Sequence, residues 1–318
     1  MKSAIGGYFE LEISPRVCYH PNAIAVNTGR NAFEYILTAK GFTRVYLPEY
    51  FCLALLEPIR KLGLDCRAYA LDQFLNPVFD YEQLQEGDAF LYTDFFGLKA
   101  NQVRVLSGLE QNLIVDNAHA FFARPLPGIN TFYSPRKFFG VPDGGYVYCN
   151  SQLPFELQKD ESATRCQHLL KRIDTGAETG YADFLRNEAE LNNQPLLAMS
   201  ALTAKLLHAI DYDWVDKRRR RNFALMHQLL GMYNEFCFDF DQDCVPLVYP
   251  FLQNRKGLRE KLIQKKMYTA TYWPNIVDKG RKESIGYKLA AQAVFLPIDQ
   301  RLDEEDIERI SEVYLNEG

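Results

Sequence analysis

The sequence predicts an α/β protein, with a large domain built on a mainly parallel sheet and a small α+β C-terminal domain. Three observations carry this. From Val26 to about Cys149, short apolar runs alternate with stretches of helical periodicity, the rhythm of βαβ units. After Tyr233 the texture changes to shorter mixed elements that close on a helix with acidic residues at its start. The chain has 318 residues, 47% of them hydrophobic and 24% charged, enough for two lobes with substantial cores. The boundary falls ahead of an arginine-rich helix, giving domains 1–215 and 216–318.

The elements follow in order. "NAFEYILTAKG" (31–41) reads as a helix closed by Gly41, and "RVYLPEY" (44–50) as a strand stopped by Pro48. "CLALLEPIRKLG" (52–63) is helical and "CRAYALD" (66–72) a strand. "DAFLYTDFFG" (88–97) and "NLIVDNAHA" (112–120) are strands that end in polar residues. "VPDGGYVYCN" (141–150) is a glycine turn followed by strand-like alternation. Residues 155–195 are polar and mixed and receive no assignment. "LLAMSALTAKLLHAI" (196–210) and "DKRRRRNFALMHQLLGMY" (216–233) read as helices. "VPLVYPFL" (245–252), "YTATYWP" (268–274) and "AVFLPI" (293–298) read as strands. "NRKGLREKLIQKKM" (254–267) and "DEEDIERISEVYLN" (303–316) are helices, the last with Asp303 and Asp306 placed for its cap and first turn. "IGGYFELE" (5–12) reads as an edge strand.

Composition narrows the function classes. A net charge of −5 gives no reason to expect a nucleic-acid or membrane partner. The run "RRRR" (218–221), on a long helix of an acidic protein, reads as a solvated face, an interface or an anchor for an anionic substrate. Seven cysteines, an odd number without a C-x-x-C pair, read as reduced thiols, and five scattered histidines show no metal-ligand spacing. The N-terminus has no apolar leader segment, and no later run is long and apolar enough to span a bilayer, so a cytoplasmic protein is expected.

In parallel sheets ligands sit at the carboxyl ends of the strands, so the polar residues there are the candidates. Asp116 ends an apolar strand, where its carboxylate can hold a ring nitrogen protonated. Ala118 is small enough to let a flat ring lie against it, and His119 can donate to a phenolic oxygen. Thr28 and Gly29 open a helix whose free N–H groups suit a phosphate. Lys137 lies among aromatics in "SPRKFFG", where desolvation would favour a nucleophilic amine. Taken singly, these are also a strand-end turn, an ordinary N-capped helix and a surface lysine beside a turn. Together they form the set that pyridoxal 5'-phosphate needs: a phosphate site, a carboxylate for the pyridine nitrogen and an amine for the aldehyde.

On "NTGRNAF", "LPEYFCLALLEPI", "IVDNAHA" and "SPRKFFGVPDGG", the chain resembles the DegT/DnrJ/EryC1/StrS family of pyridoxal-phosphate enzymes. Weaker support comes from "LVYPFLQNRKGLREKLIQKKMYTATYWP" and "LPIDQRLDEEDIERI". The resemblance runs from about Val26 onward, thinly between Asn150 and Gln194. It implies the fold type I transferase architecture of aspartate aminotransferase. It implies a Schiff base on Lys137, Asp116 on the pyridine nitrogen, His119 facing the phenolic oxygen, and Thr28, Gly29 and Arg30 near the phosphate. The family's serine usually stands five residues before the lysine, where this chain has Phe132. Ser134 matches the Ser-x-x-Lys spacing of the wider fold and is assigned to the phosphate. Phe51 and Cys52 stand where the family places the aromatic that stacks on the ring, and Tyr272 and Trp273 are candidates for the cleft or the core.

The implied activity is transamination from an amino acid, glutamate by resemblance, to a keto-sugar, nucleotide-linked, by a homodimer with its site at the interface. The alternatives are a pyridoxal-phosphate enzyme of another type, such as a lyase, a regulatory protein that binds the cofactor, and a non-enzymatic polyanion binder using the arginine run. Lys137 itself argues against the dehydratase branch, which carries histidine at that position.

Overall fold

A computed structural model describes residues 5–109, 112–238, 244–279 and 281–316. The first half winds as β1 (Ile24–Val26), α1 (Gly29–Lys40), β2 (Arg44–Pro48), α2 (Leu56–Lys61), β3 (Asp65–Leu71), β4 (Pro77–Val78), β5 (Asp88–Thr93), α3 (Ala100–Leu109), β6 (Leu113–Asn117), β7 (Asn130–Tyr133) and β8 (Gly145–Tyr148). These strands form one eight-stranded sheet in the order β1-β8-β7-β6-β5-β2-β3-β4. The five central strands, β7 to β3, run parallel, and β8, β1 and β4 lie antiparallel at the edges.

Side-chain alternation sorts the sheet into two unlike faces. Val45, Leu47, Ala89, Leu91, Ile114, Phe132 and Val147 pack with Ala32, Phe33, Ile36 and Leu37 of α1. Tyr46, Tyr69, Phe90, Tyr92, Val115, Tyr133 and Tyr146 point the other way into an aromatic core. Small aliphatics lie under the helix, where two layers must approach closely, and the bulky rings fill the wider side. Phe132 therefore belongs to the helix layer, stacked on Phe33 at 5.4 Å, and is not placed to hold a phosphate. Helix α1 starts on Thr28, whose side chain accepts from the Asn31 N–H, and ends on Gly41 at φ 67°.

The second half continues with α4 (Gln167–Thr175), α5 (Ala177–Glu190), α6 (Ala201–His208), α7 (Tyr212–Leu230), β9 (Val248–Phe251), α8 (Leu258–Gln264), α9 (Asn275–Lys279), α10 (Ile285–Gln292), β10 (Val294–Pro297) and α11 (Glu304–Leu315). β9 and β10 pair antiparallel. The expected cap on the last helix is present as a reciprocal Asp303–Asp306 box. The unassigned stretch is a helical hairpin, α4 turning into α5 at Gly176 with φ 96°.

Four expectations are corrected. Residues 196–199 are extended rather than helical: Ala198 bridges Val26 and Lys159, and the helix begins only where Ser200 caps Thr203. "YTATYWP" keeps one bridge, Ala270 to Phe295, because Trp273 adopts φ 61°, which ends extension. "IGGYFELE" is not a strand; its described part runs exposed through Gly6 and Gly7 at φ 79° and 105°. The boundary at 215/216 falls inside the continuous helix α7, and one core cluster runs from the sheet's aromatic face into the C-terminal elements.

Candidate active site

Asp116 stands on the last turn of β6, in register with Thr93 on β5 and Phe132 on β7. It shares the helix-side face with Ile114, two residues earlier. One carboxylate oxygen accepts the Ala118 N–H at 2.9 Å and the other the Thr93 hydroxyl at 3.4 Å. Burial pushes its pKa up to about 6, against the pull of the Ala118 N–H and of the Lys137 ammonium. The group is buried, and among the described residues no cation is hydrogen-bonded to it. Such a carboxylate is suited to a charge-assisted hydrogen bond from a ligand's donor.

His119 is fully buried. Its Nδ1 accepts the Phe96 N–H at 3.4 Å, which leaves the neutral ring's proton on Nε2 as a donor. Burial, aided by Lys137, holds its pKa well below the ordinary histidine value. The ring runs nearly parallel to Trp273, 5.4 Å away at 17°, and to Phe96, 5.7 Å away at 23°. Both aromatic neighbours hold left-handed backbones, Phe96 at φ 60° and Trp273 at φ 61°, a conformation costly for a bulky residue. Strain on both flanks of one imidazole marks the position as over-determined by its surroundings.

Lys137 closes a short 3-10 turn after β7, its N–H bonded to the Ser134 carbonyl at 3.2 Å. The expected desolvation by its neighbours is absent, and the lysine side chain is exposed. Phe138 and Phe139 turn inward instead and pack on Phe121, Phe122 and Tyr212. The ring that Lys137 does meet is Tyr272, with Nζ 5.4 Å from its centre. Tyr272 also lies 4.8 Å from the His119 ring, so two residues of the C-terminal part face the lysine and the histidine.

The start of α1 meets the lysine turn. A Cβ on Gly29 would lie 3.1 Å from the Ser134 Cβ and 3.4 Å from its hydroxyl, so Ser134 sits directly over the helix N-terminus. The first-turn N–H groups of Gly29 and Arg30 lie beyond the reach of the intrahelical ladder. Gly145 lets the strand pass: a Cβ there would overlap the Thr28 carbonyl. The Arg30 guanidinium is turned away, bonded to Glu57 at 2.8 Å and Asn192 at 2.6 Å, so it offers only its backbone here. The Thr28 hydroxyl is engaged by Asn31 on both counts, accepting from its N–H and donating to its side chain.

Phe51 and Cys52 follow β2 and are half-buried, Phe51 against the helix-side core and Cys52 against the aromatic one. Ala118 is the half-buried residue between Asp116 and His119. Tyr272 and Trp273, left by the sequence between cleft and core, are both buried and lie against the His119 ring; the one signal for them was two adjacent rings before a proline. The arginine run is not one face: Arg219 is buried, Arg220 pairs with Asp216, and Arg218 lies over Trp214. All seven cysteines are free thiols, and the described residues hold no cluster able to bind a metal. No helix among them is long and apolar enough to cross a membrane.

The donor set fits pyridoxal phosphate. It offers a buried carboxylate without a bonded cation, a neutral imidazole donor, an accessible amine, and a helix start faced by a hydroxyl where a side chain on Gly29 would crowd.

No protein-family model matches the sequence, nor does any curated protein. Solved structures do. The sugar aminotransferase CalS13 from Micromonospora echinospora superposes with a TM-score of 0.64 at 16% identity, covering 94% of this chain and 88% of that one. A DegT DnrJ EryC1 StrS aminotransferase from Brucella abortus gives a TM-score of 0.60 at 17% identity, covering 92% and 85%. NtdA from Bacillus subtilis, with bound cofactor PMP, gives 0.66 at 15%, covering 92% and 72%. The chain thus has the fold of DegT/DnrJ/EryC1/StrS-type aminotransferases, the fold type I architecture expected from the motifs.

Proposed function

We propose that the chain is a pyridoxal-phosphate-dependent aminotransferase that binds its cofactor through Lys137. It moves an amino group from an amino acid, glutamate first among them, to a keto-sugar, nucleotide-linked. The observation that carries this is the convergence of Asp116, His119, Lys137, Ser134 and the α1 N-terminus at one carboxyl edge of the sheet. Likeness to a sugar aminotransferase supports the substrate class, and likeness to a PMP-bound protein supports the cofactor. A homodimer completing the site at its interface belongs to the same reading, as does a reducing cytoplasmic setting for the free thiols.

Bound pyridoxal phosphate supplies a carbonyl carbon for an amine and a ring that withdraws electron density. Asp116 holds the proton on the ring nitrogen, and its burial strengthens that pairing. His119 donates from Nε2 to the ring's phenolic oxygen. The first-turn N–H groups of α1 and the Ser134 hydroxyl hold the phosphate. Lys137 Nζ would hold the cofactor's carbonyl carbon, and the amine, when free, would serve as the base that takes and returns the donor's Cα proton. Tyr272 bounds the path of the lysine.

The test is chemical. Protein incubated with pyridoxal phosphate and reduced with borohydride is expected to carry the pyridoxyl group on Lys137 by peptide mapping, and Lys137→Ala to carry none. Loaded enzyme is expected to convert glutamate to its keto acid in a single half-turnover. A label elsewhere, or none, sinks the cofactor assignment. A label on Lys137 without keto acid from any of a panel of amino acids leaves the lyase or regulatory alternative.

A further inference from the structure

Two segments far apart in sequence wall in the start of α1. On one side run residues 194–199. The Asn27 N–H donates to the Leu197 carbonyl at 3.0 Å, and its side chain donates to the Pro195 carbonyl at 3.1 Å and accepts the Leu197 N–H at 3.3 Å. The Asn31 side chain donates to the Pro195 carbonyl at 2.6 Å. On the other side runs the glycine turn ahead of β8. The Gly144 N–H donates to the Asn27 carbonyl at 2.5 Å, and Gly145 passes the Thr28 carbonyl with no room for a Cβ.

One buried carboxylate joins the two walls. Asp143, in the glycine turn, is 0% exposed. One of its oxygens accepts the Ser200 N–H at 2.9 Å. The other accepts the Ser200 hydroxyl at 2.7 Å and the Thr203 hydroxyl. Ser200 gives its one hydroxyl proton to Asp143, so it accepts from the Thr203 N–H at 3.1 Å and from the Ser162 hydroxyl at 2.7 Å. Ser200 caps α6 by itself, so the helix start does not require Asp143 as a cap. Among the described residues no lysine or arginine pairs with this carboxylate; it is met by three donors at the positive end of α6. A carboxylate out of water is unfavourable unless such donors keep their places. The tie therefore fixes the separation between the glycine turn and residue 200.

We propose that Asp143 is a positioning residue for the phosphate site. It locks the two walls together and so holds the Gly29 and Arg30 N–H groups beside the Ser134 hydroxyl. The inference rests on reading the α1 start as the element that holds the phosphate. With no exposed surface, Asp143 cannot touch a ligand; it acts through Gly144, Gly145 and residues 194–199. Lys137 is held separately, because Phe138 and Phe139 anchor its turn in the aromatic core. Loosening the tie disturbs recognition of the phosphate and leaves the reactivity of the amine.

Borohydride-fixed labelling of Lys137, quantified by peptide mapping over a concentration series, tests this with two aldehydes. One is pyridoxal 5'-phosphate and the other pyridoxal, which lacks the phosphate. In the parent, the phosphorylated aldehyde is expected to reach half-maximal labelling at the lower concentration. In Asp143→Asn that concentration is expected to rise about tenfold, with the pyridoxal value unchanged. Thr203→Val removes one donor with little change of shape and is expected to raise it about threefold, which carries the test if the asparagine variant does not fold. Values unchanged for both aldehydes, or raised together for both, overturn the proposal and leave Asp143 serving the fold alone. A parent that takes no label on Lys137, or takes it equally from both aldehydes, removes the phosphate reading itself and the proposal with it.

Discussion

Asp116 illustrates how one strand-end residue answers to its neighbours on several elements. Its carboxyl, with a folded pKa of about 6 against an ordinary 3.8, binds a proton in the folded state that the unfolded chain has already released. The stability this confers is present below about pH 4 and is lost as pH rises through about 6. Cofactor-free Asp116→Asn is therefore expected to gain melting temperature relative to the parent as pH rises from 4 to 6, with a flat difference above 7. A difference that does not change with pH would mean that the carboxyl is not held protonated by burial. The same variant is expected to lose about 10²–10³-fold in transamination rate, since it removes a charge aimed at the reacting ring. Asp116 and Lys137 were legible because strand ends and glycine turns leave local marks. The setting of Lys137 was not, because neighbours along a 3-10 turn diverge in space, and Phe138 and Phe139 went to the core. Tyr272, the ring it does meet, lies far along the chain in a segment whose strand-like pattern keeps only one bridge, Ala270 to Phe295, so the pattern did not position it.

Among elements, the decisive contact is between the start of α1 and β8. Gly145 on β8 passes so close to the Thr28 carbonyl that any side chain would collide with backbone, which cannot swing aside. Gly145→Ala is expected to cost about 2 kcal/mol in denaturant unfolding and to weaken retention of pyridoxal phosphate, because the helix start must shift from Ser134. Unchanged affinity would argue that the α1 N-terminus does not hold the phosphate. The long alternating strands and the capped helices were readable in the sequence, with α1 and α11 marked at one end or both. What escaped was what local pattern does not encode. β1 has three residues, β7 is four residues with a mixed pattern, and residues 196–199 look helical yet are held extended by Gln158 and Ala25. Trp273 adopts φ 61° just before α9 begins at Asn275, with its ring packed on His119 and Tyr50.

At the scale of the molecule, Arg219 connects the C-terminal part to the lysine turn. It is buried, bonds the carbonyls of Pro246 and Leu247 and the side chain of Gln300, and lies 4.6 Å over the Phe138 ring. Gln300 in turn donates to the Phe138 carbonyl at 2.8 Å. Arg219→Met keeps the stem but strands these acceptors, and a loss of about 3 kcal/mol in unfolding free energy is expected. Cofactor retention is expected to fall with it, and a loss of stability alone would confine Arg219 to holding the core. The run of four arginines gave no sign that one was structural, because burial of a single member depends on the packing of α7 against elements some eighty residues later.

The unbroken course of α7 also bears on how the gene could be divided. A cut after Val215 would leave the first turn of that helix on one fragment and Arg219 on the other. Each piece would carry half of a shared apolar core into water. Co-expression as two polypeptides, or transplanting the C-terminal part onto a relative, has no natural seam there. A grafting point has to lie outside Tyr212–Leu230, where the helix can travel whole with the contacts it makes.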